Sequence, residues 1–320
     1  MIKKRKVAIV GCGFVGTSLA YALVNQGQVN EIAMIDIRQD KAEGEQMDLS
    51  HGLAFYPQSN VKIVSGGYEL CKDADIVAIT AGTPQNEMAK SRLDFTDKTT
   101  KIVKSITESV VKSGFNGIFV VASNPEDLMA YVIQKVSGFD KKKIIGTGIM
   151  LDTSRLRYML SEYFKVSGKN VHAYILGEHG DSSFACWSNA YIGEKRLFDI
   201  IEEKNIDMKV LDDIYENVRK AGYEVLKRKN ATYYGIGMIT ARIISAIFND
   251  ENVILPVSSY LDGQYDQSGL YIGVPAVINA EGNDRVIELK LTSVEKEKFN
   301  NSVNILKGVI KDSVDKILSE

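Results

Sequence analysis

Val7-Ala8-Ile9-Val10-Gly11-Cys12-Gly13-Phe14-Val15-Gly16 is a short apolar run that breaks into three glycines spaced G-x-G-x-x-G. The run reads as a buried strand, and residues 14–26 read as a helix closed by Gly27. A strand that ends in this spacing and opens a helix is the phosphate-binding turn of a dinucleotide fold. Gly11 makes the tight turn, Gly13 lets a pyrophosphate approach the backbone, and Gly16 lets the helix pack on the strand. The helix start, at Phe14 and Val15, offers unpaired N–H groups and a partial positive charge to the phosphates. Asp36 lies 20 residues beyond Gly16, at the end of the second expected strand. A carboxylate there can accept both ribose hydroxyls and repels a 2′-phosphate, so NAD is expected rather than NADP. FAD uses the same fingerprint, and residues further along decide for a nicotinamide.

Working outward, the first half alternates β-branched runs with helical patterns, which predicts a parallel sheet with crossover helices. Strands are expected over residues 31–36, 61–64, 75–80, 117–121 and 143–145, with the continuous Val/Ile content of strands covered on both faces. Beyond about residue 146 the pattern changes. A helix over 153–164 precedes a strand over 171–176, and long helices are expected near 211–227 and 231–248. Strands over 253–257 and 271–278 read as antiparallel, and a last amphipathic helix covers 293–317. The fold class expected is α/β: an N-terminal doubly wound (Rossmann) parallel sheet over 1–146, followed by an α+β domain with antiparallel strands over 147–320.

Two fused domains also suit a length of 320 residues. Hydrophobic residues make up 45% and charged residues 25%, the balance of an ordinary soluble protein. A net charge of −2 supplies no field that would hold nucleic acid or an anionic membrane, so neither partner is expected. No stretch reaches the roughly 20 apolar residues that span a bilayer. The basic start is followed by a run that Gly11, Gly13 and Gly16 break at once, unlike a secretory leader. Three scattered cysteines, Cys12, Cys71 and Cys186, suit a reducing compartment, and the expected location is the cytoplasm.

The second half carries Leu151-Asp152-Thr153-Ser154-Arg155 and Gly177-Glu178-His179-Gly180-Asp181. Reducing a keto acid needs a proton donor, an anchor for the carboxylate and a cation that polarises the carbonyl. Histidine suits the first task because it titrates near neutrality, and an Asp on its other nitrogen fixes the tautomer. Arginine suits the second, since its fork grips a carboxylate through two parallel hydrogen bonds. His172 and His179 lack a third ligand at a recognisable spacing, so no metal is expected. Cys186 has no base arranged beside it, and no G-x-S-x-G elbow occurs, which argues against a hydrolase.

Over essentially its whole length the chain resembles the lactate and malate dehydrogenases. The resemblance implies that His179 is the acid/base, Asp152 its partner and Arg155 the carboxylate clamp. It implies that Arg92 polarises the carbonyl when its loop closes. Asn124, in Ser123-Asn124-Pro125, would contact the substrate oxygen beside the nicotinamide, with Ser123 and Asn124 both lining the cofactor. A cis Asn124–Pro125 bond is expected there. Thr232, in Ala231-Thr232-Tyr233-Tyr234-Gly235, would form a wall of the substrate pocket. A non-catalytic NAD-binding protein on the same fold is the alternative from another class. Such a protein would be expected to lose the donor or the clamp, and both are present.

Within the family, the residue matching Gln85 separates substrates: Gln in lactate enzymes, Arg in malate enzymes. Burying the second carboxylate of oxaloacetate beside a neutral amide would leave a charge unpaired, at a cost of about 3–5 kcal/mol. Pyruvate and lactate are therefore the expected pair, with malate or branched 2-hydroxy acids as alternatives. The stretch Asn86-Glu87-Met88-Ala89 departs from the Lys-Pro-Gly common in lactate enzymes and leaves room for a bulkier side chain. Arg157 stands two residues past Arg155 on one predicted helix, so the two point roughly 200° apart. In bacterial family members activated by fructose 1,6-bisphosphate, an Arg and a His at the positions of Arg157 and His172 bind the sugar's phosphates at a subunit interface. The resemblance thus implies a homotetramer with that activator.

Overall fold

The computed structural model describes residues 4–56, 60–83 and 92–319, with the side chains of 92–94 outside the description. Gln85 and the side chain of Arg92 therefore lie outside the described residues.

The first half runs β1 (Lys6–Val10), α1 (Phe14–Gln26), β2 (Glu31–Ile35), α2 (Gln39–Gly52), β3 (Lys62–Ser65) and β4 (Ile76–Ile79). It continues with α3 (Arg92–Lys112), β5 (Ile118–Val121), α4 (Glu126–Ser137) and β6 (Ile144–Gly146). All six strands are joined in parallel, in the order β6-β5-β4-β1-β2-β3. This is the doubly wound order, whose switch point lies between β1 and β4. Every residue of β1 is buried, as expected for a strand with helices on both faces. Gly27 ends α1 in the left-handed conformation, with its N–H returned to Val24 O.

The second half runs α5 (Met150–Phe164), β7 (Val171–His172), β8 (Ile175–Leu176), β9 (Phe184–Ala185), β10 (Tyr191–Ile192) and β11 (Lys195–Arg196). Three helices follow: α6 (Leu197–Glu203), α7 (Lys209–Lys229) and α8 (Tyr234–Phe248). The chain ends with β12 (Val253–Asp262), β13 (Ser268–Asn279), β14 (Gly282–Val286), α9 (Ser293–Val309) and α10 (Asp315–Ser319).

The expected antiparallel strands do more than decorate the second half. β12 pairs with β6 through Ser258 and Gly146, and β13 and β14 follow it antiparallel. Among the described residues the two halves thus share one nine-stranded sheet. Helices add a second joint. Gly237 of α8 lies so close to α1 that a Cβ there would stand 2.8 Å from Ser18 Cβ and 3.0 Å from Leu19 N.

Three sequence expectations change in detail. The single strand over 171–176 is two short strands in different sheets, β7 pairing with β10 and β8 with β9. The helix expected from 231 starts at Tyr234, because Asn230 closes α7 in the left-handed conformation. The last helix is interrupted by a π-type turn over Ile310–Val314. No helix among the described residues is long and apolar enough to cross a membrane.

Candidate active site

The glycine turn is built as its spacing predicts. Gly11 has φ +106°, and a Cβ there would meet Ala81 N at 2.5 Å, where the end of β4 backs the loop. A Cβ at Gly16 would stand 2.0 Å from Gly11 O, so only glycine lets α1 press so close. Gly13 faces the opposite way: no described atom comes within 4 Å of a Cβ built on it. It is also the N-cap of α1 without a side-chain cap, which leaves the helix-start amides for an anion. This clearance fits a pyrophosphate.

Asp36 stands beside that turn. Its Oδ2 accepts from Cys12 N at 2.7 Å and its Oδ1 from Arg38 N at 2.9 Å. The carboxylate is thus held rigidly by backbone, and each oxygen retains capacity for a ribose hydroxyl. Phe14 is 68% exposed and stacks on Tyr233 with ring centroids 5.1 Å apart. That contact joins the cofactor turn to the segment carrying Thr232, which is half-buried between α7 and α8. Val15 is half-buried in the first turn of α1. The hydroxyl of Ser123 donates to Ala81 O at 2.6 Å, tying the end of β5 to that of β4. Asn124 is exposed, and the Asn124–Pro125 bond is cis, as expected.

The catalytic candidates meet on one carboxylate. Asp152 and Arg155 lie three residues apart on α5, with Arg155 NH1 donating to Asp152 Oδ1 at 2.8 Å. The other oxygen, Oδ2, is 2.8 Å from His179 Nδ1. Asp152 thereby favours the proton on Nδ1 of the neutral ring, which leaves Nε2 without that partner. The histidine side chain stays 28% exposed, enough to be reached. Burial opposes its charged form, but the Asp152 carboxylate, helped by Asp127, overcomes this and raises the pKa above the ordinary value. Burial likewise works against Asp152, and the charges of His179 and Arg155 win there too, lowering its pKa.

Sequence reasoning missed the residues that fix the loop around His179. Asp127 Oδ2 accepts from His179 N at 2.8 Å, Ser302 Oγ accepts from Glu178 N at 2.7 Å, and Tyr215 donates to Ser183 O. Gly177, at φ +101°, exchanges backbone bonds with Gly273 of β13. The acidic pair Glu126-Asp127 reads in sequence as the ordinary charged first turn of a helix, and only its burial marks it. Burial pushes the Asp127 carboxyl up to about 6.

Arg157 turns away from Arg155. Its Nε donates to Ala173 O at 3.0 Å and its guanidinium lies 5.0 Å from the Tyr174 ring centroid. His172 is exposed on β7, opposite Tyr191 of β10. The cysteines are buried and inert as thiols: burial pushes Cys12 and Cys71 up to about 12 and Cys186 up to about 11.

The loops after β1, β4, β5 and β6 all emerge at one edge of the parallel sheet, where doubly wound folds hold ligands. A cleared phosphate turn and a histidine joined through one carboxylate to an arginine share that edge, a set of groups that suits a nicotinamide-dependent oxidoreductase. Comparison with known proteins agrees. The lactate/malate dehydrogenase NAD-binding domain model matches residues 5–146, and the α/β C-terminal domain model of the same family matches 150–317. L-lactate dehydrogenase 2 of Bacillus cereus is 50% identical over 94% of this chain and 96% of its own length. The L-lactate dehydrogenase of Lactococcus lactis subsp. cremoris is 49% identical over 97% and 98%. The crystal structure of a lactate dehydrogenase from a Medee basin deep-sea metagenome library superposes with a TM-score of 0.94 at 50% identity, covering 98% of this chain and 99% of that one. The chain belongs to the lactate/malate dehydrogenase family, and it is an NAD-dependent enzyme.

Proposed function

We propose that the chain works as an L-lactate dehydrogenase, interconverting pyruvate and L-lactate. The observation that carries this reading is the bonding of one carboxylate, Asp152, to both His179 and Arg155.

Arg155 has N–H groups beyond the one given to Asp152, and these receive the substrate carboxylate as a fork. His179 gives the proton on Nε2 to the keto oxygen and keeps Nδ1–H on Asp152. When bound, the reduced nicotinamide supplies the hydride for the keto carbon. Arg92 polarises the carbonyl, and Asn124 holds the keto oxygen. Thr232 and Gln85 close the pocket around the methyl end. Gly11, Gly13, Phe14, Val15, Gly16, Asp36 and Ser123 hold the dinucleotide. In lactate oxidation the same groups run backwards, with neutral His179 accepting the hydroxyl proton.

The division of labour follows the halves: residues 1–146 bind the cofactor, and 147–320 supply the acid/base and the clamp. We assign the enzyme to the cytoplasm as a homotetramer. Arg157 and His172 are assigned to an interface site for fructose 1,6-bisphosphate, and the pairing of Arg157 with Ala173 O puts its charge beside β7, which bears His172.

Steady-state reduction of pyruvate, oxaloacetate and 2-ketoisocaproate with NADH tests the reading. Pyruvate should give the highest kcat/KM. A preference for oxaloacetate would move the chain to the malate branch. NADH binding without turnover of any of the three would make it a non-catalytic binder.

A further inference from the structure

Glu126 has no part in the chemistry above, yet its carboxyl sits at the seam of the sheet. It opens α4 and is 1% exposed. Its Oε2 accepts from Gly148 N at 2.8 Å, while Oε1 is buried without a hydrogen-bond partner among the described residues. Oε1 occupies the space a side chain at 146 would need: a Cβ on Gly146 would come within 1.6 Å of it. Gly146 is where β6 meets β12 through Ser258, and Gly148 leads directly into α5. Ser258 donates to Asp127 Oδ1, whose other oxygen holds the backbone of His179.

We propose that Glu126 is a positioning residue for proton transfer, held as a neutral acid whose Oε2 fixes the 146–148 turn and so the start of α5 beneath Asp152 and Arg155. The proposal rests on the dehydrogenase reading given above. A buried oxygen that receives no donor cannot carry charge cheaply, and two adjacent buried carboxylates do not both ionise. Asp127, with donors on both oxygens, carries the negative charge. Burial and the Asp127 charge push Glu126 well above the carboxylate range, past what the Gly148 N–H can offset. The ionisable groups that act on the pair are His179 and Glu178 on the catalytic loop. Asp152 on α5 stands one bond further, joined to His179, and Arg155 is joined to Asp152. Gly146 is then the complement of Glu126, a glycine required by a carboxyl on another element.

The test compares Glu126→Gln with Glu126→Ala in pyruvate reduction, reading the pH profile of kcat/KM and the affinity for NADH. Gln keeps a neutral acceptor for Gly148 N–H, so it should hold kcat/KM within about twofold and leave the profile in place, whereas Ala should lose about tenfold or more through misplacement of α5. NADH affinity should stay close to that of the parent in both. Gly146→Ala should lower the unfolding temperature less in the Glu126→Ala background than in the parent, because the colliding oxygen is gone. An alkaline limb moved to lower pH in Glu126→Gln would show an ionised Glu126 acting through charge and overturn the proposal. Full kcat/KM in Glu126→Ala would overturn it as well. If the Ala variant does not fold, the Gln profile alone decides. Absence of turnover of pyruvate, oxaloacetate and 2-ketoisocaproate in the parent enzyme would instead remove the dehydrogenase reading, and the Gly146 unfolding comparison would still test the contact.

Discussion

Asp152 Oδ2 lies 2.8 Å from His179 Nδ1, and the same carboxylate carries Arg155 on its other oxygen. The proposed proton donor and the proposed clamp are therefore both held by one negative charge. Asp152→Asn keeps the shape and removes that charge, so His179 should lose its raised pKa. Pyruvate reduction needs protonated His179 and falls as pH rises through its pKa, while lactate oxidation rises over the same range. In the Asn variant both transitions should move to lower pH, and kcat for pyruvate near neutrality should drop by about a hundredfold or more. A pH profile superimposable on the parent's would remove Asp152 from the assignment.

Stability follows the same pair with opposite signs. The raised histidine pKa contributes stability that is full below the unfolded histidine's pKa and is lost as pH rises through the folded value. The lowered Asp152 contributes stability above its unfolded pKa that is lost as pH falls through the folded value. Unfolding temperatures of parent and Asp152→Asn should therefore differ most between those limits and converge as pH falls through the folded Asp152 value. They should narrow without meeting as pH rises through the folded His179 value, because Arg155 stays charged beside Asp152.

Arg155→Leu should raise the KM for pyruvate steeply while NADH binding survives. Two charge-assisted hydrogen bonds are lost, a cost of about 3 kcal/mol or more, which corresponds to at least about a hundredfold in KM. The structure adds a second signature. The Arg155 charge depresses the His179 pKa, so its removal should move the alkaline limb of kcat for pyruvate to higher pH. A KM change of only a few fold would contradict the clamp.

The parts of the site legible in sequence are those where one residue type alone satisfies a local demand. Gly11 and Gly16 had to be glycines because Ala81 N and Gly11 O leave no room for a Cβ, and the spacing announces it. Asp152, Arg155 and His179 came from the resemblance to a family, and the bond between Asp152 and Arg155, three residues apart on one helix face, was left unread. Asp127, Ser302 and Tyr215 were not legible. They reach the His179 loop from 52, 124 and 32 residues away along the chain, and no local pattern records such distances. The same holds for the joining of β6 to β12, which rests on one register pair. The split of the 171–176 strand escaped periodicity because each piece is only two residues long.

Ser302 tests one of these unread contacts. Its Oγ accepts from Glu178 N and lies 2.8 Å from Ser182 Oγ. Ser302→Ala leaves a buried N–H without that partner, which should cost about 1–3 kcal/mol in unfolding free energy. Because the loop carries His179, kcat should fall more than the affinity for NADH. Equal losses in both would mean a general loss of fold stability rather than a loosened loop.

Gln85 lies outside the described residues, so its prediction rests on charge alone. Gln85→Arg supplies a cation for a second carboxylate and leaves that cation unpaired with pyruvate. The ratio of kcat/KM for oxaloacetate to that for pyruvate should rise by about tenfold or more. An unchanged ratio would take Gln85 out of the specificity argument.

The last prediction concerns regulation and begins from the bond between Arg157 Nε and Ala173 O. That bond fastens α5, which also bears Asp152 and Arg155, to the link between β7 and β8 that leads toward the His179 loop. Its neighbour His172 is exposed, and the remaining N–H groups of Arg157 can still receive a phosphate. If two such sites face each other across a two-fold axis, their cations repel, and a sugar bearing two phosphate groups relieves the repulsion. Any resulting shift of α5 would reach Arg155 on the same helix, so the expected readout is a lower KM for pyruvate rather than a higher kcat. Millimolar fructose 1,6-bisphosphate should lower that KM in the parent enzyme by about fivefold or more, the weak end of ordinary allosteric coupling. Arg157→Gln should abolish the response while leaving turnover at saturating pyruvate near the parent's. Pyruvate saturation curves for both proteins, with and without the bisphosphate, supply the measurement. An unresponsive parent KM would remove the activator and leave the dehydrogenase assignment untouched. A response that survives Arg157→Gln would place the phosphates elsewhere.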